Sequence, residues 1–431
     1  MNKGINNTSK CVYYLILITA LFFSIFGLLC EGNPISSING LITIYKSNAT
    51  LITDLIGVGG LGGAFLNAGT TMLFAVLIMK LAGSDFNGSS IGCAFIVCGY
   101  AFFGKNLVTA IPIVFGSYVC SKVKKVPFKT YSNMSLFTTC LGPFVTYIAT
   151  NPLIESSFVR IILAVFIGMF FGFVVPLVGS LTAKFHNGML IFNIGLASGI
   201  VSTIVTGILK NFGYEFNSVL VWTSEYKKNI LIFIVFLLFI YLITGIYLGG
   251  LKNYKNIFKH SGQTSGDADY VLLEGFAEAL INMSLCGFIT IVYLLIIKAD
   301  INGVTLSGII TICGFGAFGM NPFNIIWAWV GIVLISFVSV WKINDPVIIL
   351  AAMYCTCICS IAGKYGPIWG IIAGILHVSV AKYAAFNYGY LNLYNNGYSA
   401  GVVCVLLLPV IEYVNGIIKE HKIDKEHWYF V

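Results

Sequence analysis

Residues 87–116 read NGSSIGCAFIVCGYAFFGKNLVTAIPIVFG, and residues 302–331 read NGVTLSGIITICGFGAFGMNPFNIIWAWVG. The two segments align without a gap at a constant offset of 215 residues. The matches include Asn, Asp and Gly residues, which a lipid-buried segment has no general reason to carry twice. The sequence therefore indicates an internal duplication. The principal matching pairs are Asn67 with Asn282, Asp85 with Asp300, Asn87 with Asn302, Gly104 with Gly319 and Asn106 with Asn321.

Each copy of this segment is interrupted near its middle. In the first copy, Gly104, Lys105 and Asn106 separate two apolar arms. Each arm has about 15 residues, whereas a transmembrane helix needs about 20. Irregular backbone at membrane depth is tolerated only where it is buried in protein or lines a cavity. We therefore predict a re-entrant or broken-helix segment in each copy.

The composition is that of an integral membrane protein. Of 431 residues, 58% are hydrophobic and 9% are charged, whereas a soluble domain has about 25% charged residues. The net charge of +8 comes from short basic clusters between apolar runs, which indicates topology signals and no nucleic-acid partner. The 12 cysteines lie almost wholly within apolar runs, so we interpret them as small core residues and expect no metal site.

The duplication divides the chain into five parts, two of which are membrane repeats. We predict that the first part is a transmembrane helix followed by an outer loop, and that the last part is a cytoplasmic basic tail. The parts are 1–50 (first helix and outer loop), 51–212 (repeat A), 213–265 (loop, connecting transmembrane helix and cytoplasmic basic loop), 266–418 (repeat B) and 419–431 (tail).

The positions of the basic clusters predict the topology. Lysines at 122–129 and 252–260 mark cytoplasmic loops, with four predicted spans between them. With the N-terminus inside, residues 51–121 must cross the membrane an odd number of times, which one span plus one re-entrant segment satisfies. Repeat A then starts outside and repeat B starts inside. We therefore predict an all-α protein with two inverted-topology repeats, about ten full transmembrane helices and two re-entrant or broken-helix segments.

A second pair of motifs lies late in each half of the chain. In the first half, Asn193 is followed by Gly195 and Gly199. In the second half, Asn395 is followed at the same spacing by glycines at 397 and 401. Small residues four positions apart allow helices to approach closely, so the glycines favour a packing role. The asparagines need hydrogen-bond partners wherever they are buried.

Together, the paired interrupted segments and the late N-x-G-x-x-x-G motifs resemble a family of bacterial polytopic membrane proteins known only as a domain of unknown function. The resemblance covers nearly the whole chain and implies no substrate. The plan of two inverted halves is also similar to that of aquaporins and urea transporters. The tandem Asn-Pro-Ala motif of aquaporins is absent, because only Asn321-Pro322 keeps the Asn-Pro pair, so the similarity is one of general plan.

The interruptions are the strongest candidates for a binding site. A helix that begins at membrane depth presents free N–H groups and the positive end of its dipole, which suits an anion or a carbonyl oxygen. We expect Asn106 and Asn321 to begin such helices. Lys105 adds a positive charge to the first copy, unless its side chain instead snorkels to an interface. The candidate substrate-binding residues are Lys105, Asn106, Asn321, Asn67, Asn282, Asn193 and Asn395.

Two carboxylates are candidates for coupling transport to a proton or cation. Glu274 and Glu278 are four residues apart, which would place them on one helix face, and ionisable groups within membrane segments are by default functional candidates. Repulsion between them would raise the proton affinity of one. The alternative is that both lie near the cytoplasmic end and are solvated.

These features favour a membrane channel or secondary transporter for a small polar or anionic solute, with a central site at the paired broken helices. The alternatives are a non-transporting membrane scaffold and a polytopic membrane enzyme that acts on a lipid-linked substrate. The sequence contains no recognisable catalytic motif, so we expect no enzyme activity, catalytic residue, cofactor or metal. The expected partners are a small molecule or ion and the lipid bilayer, with a homo-oligomer as an option. We expect a multi-pass protein of the bacterial plasma membrane with both termini cytoplasmic.

Overall fold

The computed structural model describes the backbone of residues 2–427 and the side-chain surroundings of residues 7–418. Within this part of the chain the protein is helical, with two isolated β-bridges as its only extended pairings. The lysines of the predicted tail at 419–431 lie outside the described side chains. The all-α membrane fold is therefore confirmed over the described residues.

Ten helices precede the second repeat. They are α1 (Asn2–Leu29), α2 (Pro34–Lys46), α3 (Leu55–Leu81), α4 (Gly88–Tyr100), α5 (Leu107–Val123), α6 (Ser132–Thr138), α7 (Gly142–Thr150), α8 (Ser157–Phe185), α9 (Asn193–Asn211) and α10 (Lys227–Tyr247).

Eight helices follow. They are α11 (Tyr270–Leu273), α12 (Phe276–Ile296), α13 (Gly303–Phe315), α14 (Pro322–Ser336), α15 (Pro346–Tyr354), α16 (Cys359–Tyr365), α17 (Pro367–Ala384) and α18 (Asn395–His427). Short 3-10 helices complete the chain at Phe128–Thr130, Thr139–Leu141, Gly250–Lys252, Tyr254–His260, Cys355–Ile358 and Ala385–Tyr388.

Nine segments of the described residues are long and apolar enough to cross a membrane. One of the four spans predicted between the basic clusters, near 132–150, is not among them, because the 3-10 turn at Thr139–Leu141 divides it into α6 and α7. The predicted outer loop at 31–50 is wrong in one respect, because most of it forms α2. Asn33 caps this helix by accepting a hydrogen bond from the Ile35 N–H, and Pro34 occupies its first turn.

The helix bounds repeat at the offset seen in the sequence. α4 and α13 both have 13 residues and begin 215 positions apart. α3 is kinked at Gly60, whose φ of 74° is left-handed. The equivalent Gly275, with φ 128°, separates α11 from α12. The duplicated sequence therefore produces duplicated local structure.

α4 and α5 form a re-entrant hairpin. Before α4, Ser84 Oγ lies 2.8 Å from Ser132 Oγ, which follows α5 in the chain. Asn133 Nδ2 also donates to Ser89 Oγ at 3.4 Å. The hairpin therefore leaves and rejoins the same end of the molecule, which we call the first end and define by these four residues.

α13 and α14 form the equivalent hairpin from the other end. Trp222 Nε1 donates to Asp300 Oδ2 at 2.9 Å just before α13. Asp345, which follows α14, lines a cavity together with Ser218 of the same loop as Trp222. We call this the second end and define it by these four residues. The structure therefore contains the two predicted re-entrant segments.

The two hairpins meet in the middle of the molecule through α4 and α13. Gly99 faces the Ser307 backbone, whereas Gly314 faces the Phe95 side chain, so the two helices are antiparallel. All of α13, and all of α4 except Ser89, is buried. Glycines at the contact allow this close approach.

Candidate functional site

Asn106 and Asn321 each begin the second helix of a hairpin, as the sequence predicted. Asn106 Oδ1 accepts a hydrogen bond from the Thr109 N–H at 3.0 Å. Asn321 Oδ1 accepts from the N–H groups of Phe323 at 3.1 Å and Asn324 at 3.0 Å. Both asparagines therefore act as helix N-caps, which satisfy backbone donors that have no partner within the helix.

Asn67 and Asn282 tie each interruption to the adjacent long helix. Asn67 Nδ2 donates to the carbonyl oxygens of Ala101 at 2.7 Å and Lys105 at 2.8 Å. In repeat B, Asn282 Nδ2 donates to the equivalent carbonyls at 2.6 and 2.8 Å. These amides satisfy backbone acceptors that the interruption leaves without helical partners.

The amide of Asn321 is fully occupied by protein groups. Besides its two cap interactions, its Nδ2 donates to Ser261 Oγ at 2.9 Å and to Tyr270 OH at 3.1 Å. The side chain is completely buried. A ligand at Asn321 would have to displace these partners, so substrate binding by this residue stays a prediction.

Lys105 is buried within the structure, with 1% of its surface exposed. Its Nζ donates to Tyr394 OH at 2.7 Å and to the Leu136 carbonyl at 3.3 Å. It also lies 4.6 Å from the centre of the Tyr394 ring. No carboxylate in the described part of the chain forms an ion pair with it. The snorkelling alternative for Lys105 is therefore wrong.

Asn193 and Asn395 occupy equivalent positions at the beginnings of α9 and α18. Asn193 Nδ2 donates to the Gly179 carbonyl at 2.7 Å, and Asn395 Nδ2 donates to the Ala381 carbonyl at 2.9 Å. The Oδ1 atom of Asn193 is paired with His186 Nε2 at 2.9 Å. These asparagines thus fasten each helix to the preceding long helix.

The glycines of the late motifs permit α9 and α18 to cross in direct backbone contact. A Cβ atom added at Gly195 would lie 2.5 Å from Gly397 Cα. One added at Gly401 would lie 2.7 Å from Leu196 Cβ. The packing interpretation of these glycines agrees with these contacts.

A cavity of about 340 Å³ opens at the first end, and we call it the first vestibule. It extends from Ser89 and Lys129 to Asn193 and to Tyr394, the hydrogen-bond partner of Lys105. The residues that line it are Ser89, Lys129, Thr130, Asn133, Met134, Phe137, Ala183, Ile191, Phe192, Asn193, Ile194, Gly195, Ser265, Gly266, Phe315, Phe318 and Tyr394.

A cavity of about 370 Å³ opens at the second end, and we call it the second vestibule. Its lining includes Asp345, which matches Thr130 of the first vestibule at the offset of 215 residues. It also includes Ala385 and Asn395, which match Ala183 and Asn193 at the offset of 202 residues that relates the late motifs. Neither cavity was predicted from the sequence. The signal that could have located them is the pairing of the late asparagines with the loops that follow the hairpins.

The interpretation that Glu274 and Glu278 share one helix face is wrong. Gly275 interrupts the helix between them, so Glu274 ends α11 while Glu278 lies in the first turn of α12. Glu274 Oε1 is instead 2.7 Å from His260 Nε2. Glu278 is buried, with 7% of its surface exposed. Their predicted role in coupling is a separate question and stays a prediction.

Two aspartates that the sequence analysis missed connect the repeats. Asp269 Oδ1 accepts from the Gly88 N–H at 3.1 Å, and its Oδ2 accepts from the Ser89 N–H at 3.3 Å. Its equivalent, Asp54, accepts from the Gly303 N–H. Each carboxylate therefore meets the positive end of a hairpin helix in the other repeat. Burial raises the pKa of each carboxyl above the usual value for an aspartate. The hydrogen bonds from backbone N–H groups stabilise the charged form and so oppose this shift.

Comparison with known proteins gives a family and no function. A family model described as a protein of unknown function, DUF1576, matches residues 33–211 and 248–413. No curated protein and no solved structure matches the chain. The two matched segments contain both hairpins, the whole lining of the first vestibule, and the lining of the second vestibule except Ser218 and Leu220.

Proposed function

The chain belongs to the DUF1576 family of proteins of unknown function, and we propose that it is a membrane channel or secondary transporter for a small polar or anionic solute. One observation carries this proposal. Two cavities of about 340 and 370 Å³ enter the helical bundle from opposite ends, and matching residues of the two repeats line them. A protein that moves a solute across a membrane needs access from both sides to one region.

The region between the vestibules contains the crossing of α9 and α18. Asn193 and Gly195 line the first vestibule, and Asn395 lines the second. Gly195 and Gly397 are in close backbone contact at this crossing. We propose that the solute passes this crossing beside the hairpin interruptions, with Lys105, Asn106 and Asn321 forming the central site.

The proposed orientation places the first end in the cytoplasm of a bacterial cell. Exposed lysines at 122, 124, 125 and 129 lie next to this end, and such clusters remain on the cytoplasmic side of a membrane. The repeats then have inverted topology, because the hairpin of repeat A enters from the cytoplasm and that of repeat B from outside. Both termini are cytoplasmic in this arrangement.

Solute flux into liposomes tests the proposal. Purified protein should accelerate uptake of at least one solute from a panel of small carboxylates, inorganic anions, amides and polyols. Ala183→Trp and Ala385→Trp, which fill one vestibule each, should both abolish this uptake. Leu163→Trp is the matched control, because Leu163 is an exposed apolar side chain on α8.

If the folded protein transports no solute of the panel faster than empty liposomes do, the result favours the alternative of a non-transporting scaffold. Retained uptake in both vestibule variants would show that the solute takes another path.

Glu274 is paired with His260. We therefore propose Glu278 as the carboxylate that binds the coupled proton or cation. A proton-coupled transporter should lose the pH dependence of uptake in Glu278→Gln while the protein remains folded. Glu155→Gln, in the loop before α8, is the control. Unchanged pH dependence in Glu278→Gln would leave this carboxylate without a coupling role.

A further inference from the structure

The hydroxyl of Tyr394 meets a hydrogen-bond donor but, among the described residues, no acceptor. Lys105 Nζ donates to the phenolic oxygen at 2.7 Å, so the oxygen acts as the acceptor in this contact. Among the described residues, no hydrogen bond runs from the phenolic proton to an acceptor. A lysine ammonium that donates to a phenol also polarises its O–H bond and strengthens it as a donor. Tyr394 is therefore a polarised donor whose proton is available.

The same tyrosine lines the first vestibule. The lining of this cavity contains Lys129 at the mouth and no Asp or Glu, so its charge favours an anion. The volume of about 340 Å³ exceeds that of a halide ion and suits a small organic molecule. Asn133 Oδ1, in the wall of the cavity, is buried and has no hydrogen-bond partner. This acceptor favours a ligand that also carries a donor group.

Repeat B does not reproduce this arrangement. Met320 occupies the position of Lys105, and Phe192 is the equivalent of Tyr394 in the register of the late motifs. The lining of the second vestibule contains both Asp345 and Lys382, so the two charges offset each other there. The first vestibule therefore differs from the second in two respects: its lining has a lysine without an Asp or Glu, and its tyrosine is paired with the buried Lys105.

We propose that the first vestibule binds a small organic anion whose oxyanion group accepts a hydrogen bond from Tyr394 OH, with Lys105 behind the tyrosine as the source of positive charge. A donor group on the anion, such as a hydroxyl, pairs with Asn133 Oδ1. This inference rests on the proposed function, because it names the chemical class of the transported solute. It adds Tyr394 as the residue that contacts the ligand.

Thermal unfolding of the purified full-length protein in detergent tests the inference. Sodium glycolate and sodium lactate should raise the Tm in a concentration-dependent way, since a ligand that binds only the folded state stabilises it. Their neutral analogues, ethylene glycol and lactamide, should have much smaller effects. Sodium chloride at the same concentration controls for ionic strength.

Tyr394→Phe removes only the hydroxyl, and should weaken hydroxyacid binding by about tenfold or more because a hydrogen bond to a charged group is lost. Lys105→Met, which copies repeat B, should weaken it similarly. Tyr354→Phe is the matched control: this buried hydroxyl is 2.7 Å from Ser307 Oγ and lines neither vestibule. It should bind like the parent.

The inference is overturned if the hydroxyacids do not shift the Tm of the parent, if the neutral analogues bind equally well, or if Tyr394→Phe binds them like the parent. Should Tyr394→Phe fail to fold, Lys105→Met decides in its place. The liposome experiment separates failure of this inference from failure of the proposed function. If the protein transports a neutral solute but binds no anion, only the inference fails. If it transports no solute at all, the proposed function fails.

Discussion

Single buried amides hold the interrupted segments in place. Asn67 and Asn282 each donate two hydrogen bonds to carbonyl oxygens that a continuous helix would have satisfied within itself. The interruption is sharp because Gly104, with φ 135°, and Gly319, with φ 84°, adopt left-handed conformations that side chains disfavour. Asn67 and Asn282 lie on the adjacent long helices, yet each stabilises the interruption of a hairpin by donating two hydrogen bonds to it.

Asn282→Ala should destabilise the protein by about 1–3 kcal/mol, because it leaves the buried carbonyls of Gly316 and Met320 without this donor. Asn67→Ala should have an effect of similar size. Thermal unfolding in detergent measures both. Asn39→Ala, on the exposed face of α2, is the control and should change the Tm little. Equal Tm values for all three variants would contradict the proposed role of the two amides.

The buried aspartates make stability depend on pH. Burial raises the pKa of Asp269 above its ordinary value of 3.8, so the folded protein binds this proton more tightly than the unfolded chain does. The contribution of Asp269 is therefore fully present below the unfolded pKa, and it is lost as the pH rises through the folded pKa. The Tm of the parent should fall relative to that of Asp269→Asn as the pH is raised from about 4 to 7.

Asp267→Asn, two residues away and exposed, is the control for this pH series. Its Tm should follow that of the parent at every pH. If Asp269→Asn also runs parallel to the parent, the Asp269 carboxyl does not have a raised pKa.

At the scale of helices, the crossing of α9 and α18 depends on residues without side chains. Gly195 and Gly397 are in backbone contact, and the asparagines at the start of each helix fix its position along the preceding helix. In a membrane, close contact of this kind is a main source of helix association, because lipid is as apolar as leucine.

Gly195→Leu should separate α9 from α18 and lower the Tm markedly, since its Cβ alone would lie 2.5 Å from Gly397 Cα. Gly207→Leu is a control on the same helix, because no atom lies within 4 Å of a Cβ added there. The Tm of the two variants measures the difference. Similar Tm values would show that α9 and α18 do not need this contact.

At the scale of the whole molecule, the hairpins enter from opposite ends. The Asp54 carboxylate of repeat A accepts a hydrogen bond from repeat B, and the Asp269 carboxylate of repeat B accepts hydrogen bonds from repeat A. The two repeats are therefore interlocked, and neither is an independent domain.

The orientation of the molecule can be measured with single cysteines. In a background without the exposed Cys11, Lys124→Cys should react with an impermeant maleimide only from the cytoplasm, and Lys342→Cys only from outside. Both positions are exposed, and they lie next to the first and second ends respectively. Labelling of intact cells and inverted vesicles distinguishes the two sides. Reaction of both cysteines from one side would rule out inverted topology.

The sequence by itself determined the fold class, the two hairpins and the asparagines that begin their second helices. Polar residues and glycines that recur at a fixed offset in an apolar chain are informative because burying them is costly. The bounds of α4 and α13 follow from the same signal. Helix periodicity alone was misleading at Glu274 and Glu278, because a left-handed glycine between them ends one helix and begins another.

Only the tertiary structure decided which groups meet. Tyr394 lies 289 residues from Lys105, and Asp269 lies 181 residues from Gly88. Spacing along one helix cannot reveal such pairs, since they depend on how α18 packs against repeat A and on how the repeats interlock. The vestibules are likewise spaces between helices, and their shape depends on side chains from distant parts of the chain. The structure therefore assigned Lys105 a buried position beside Tyr394, which its place in the sequence did not specify.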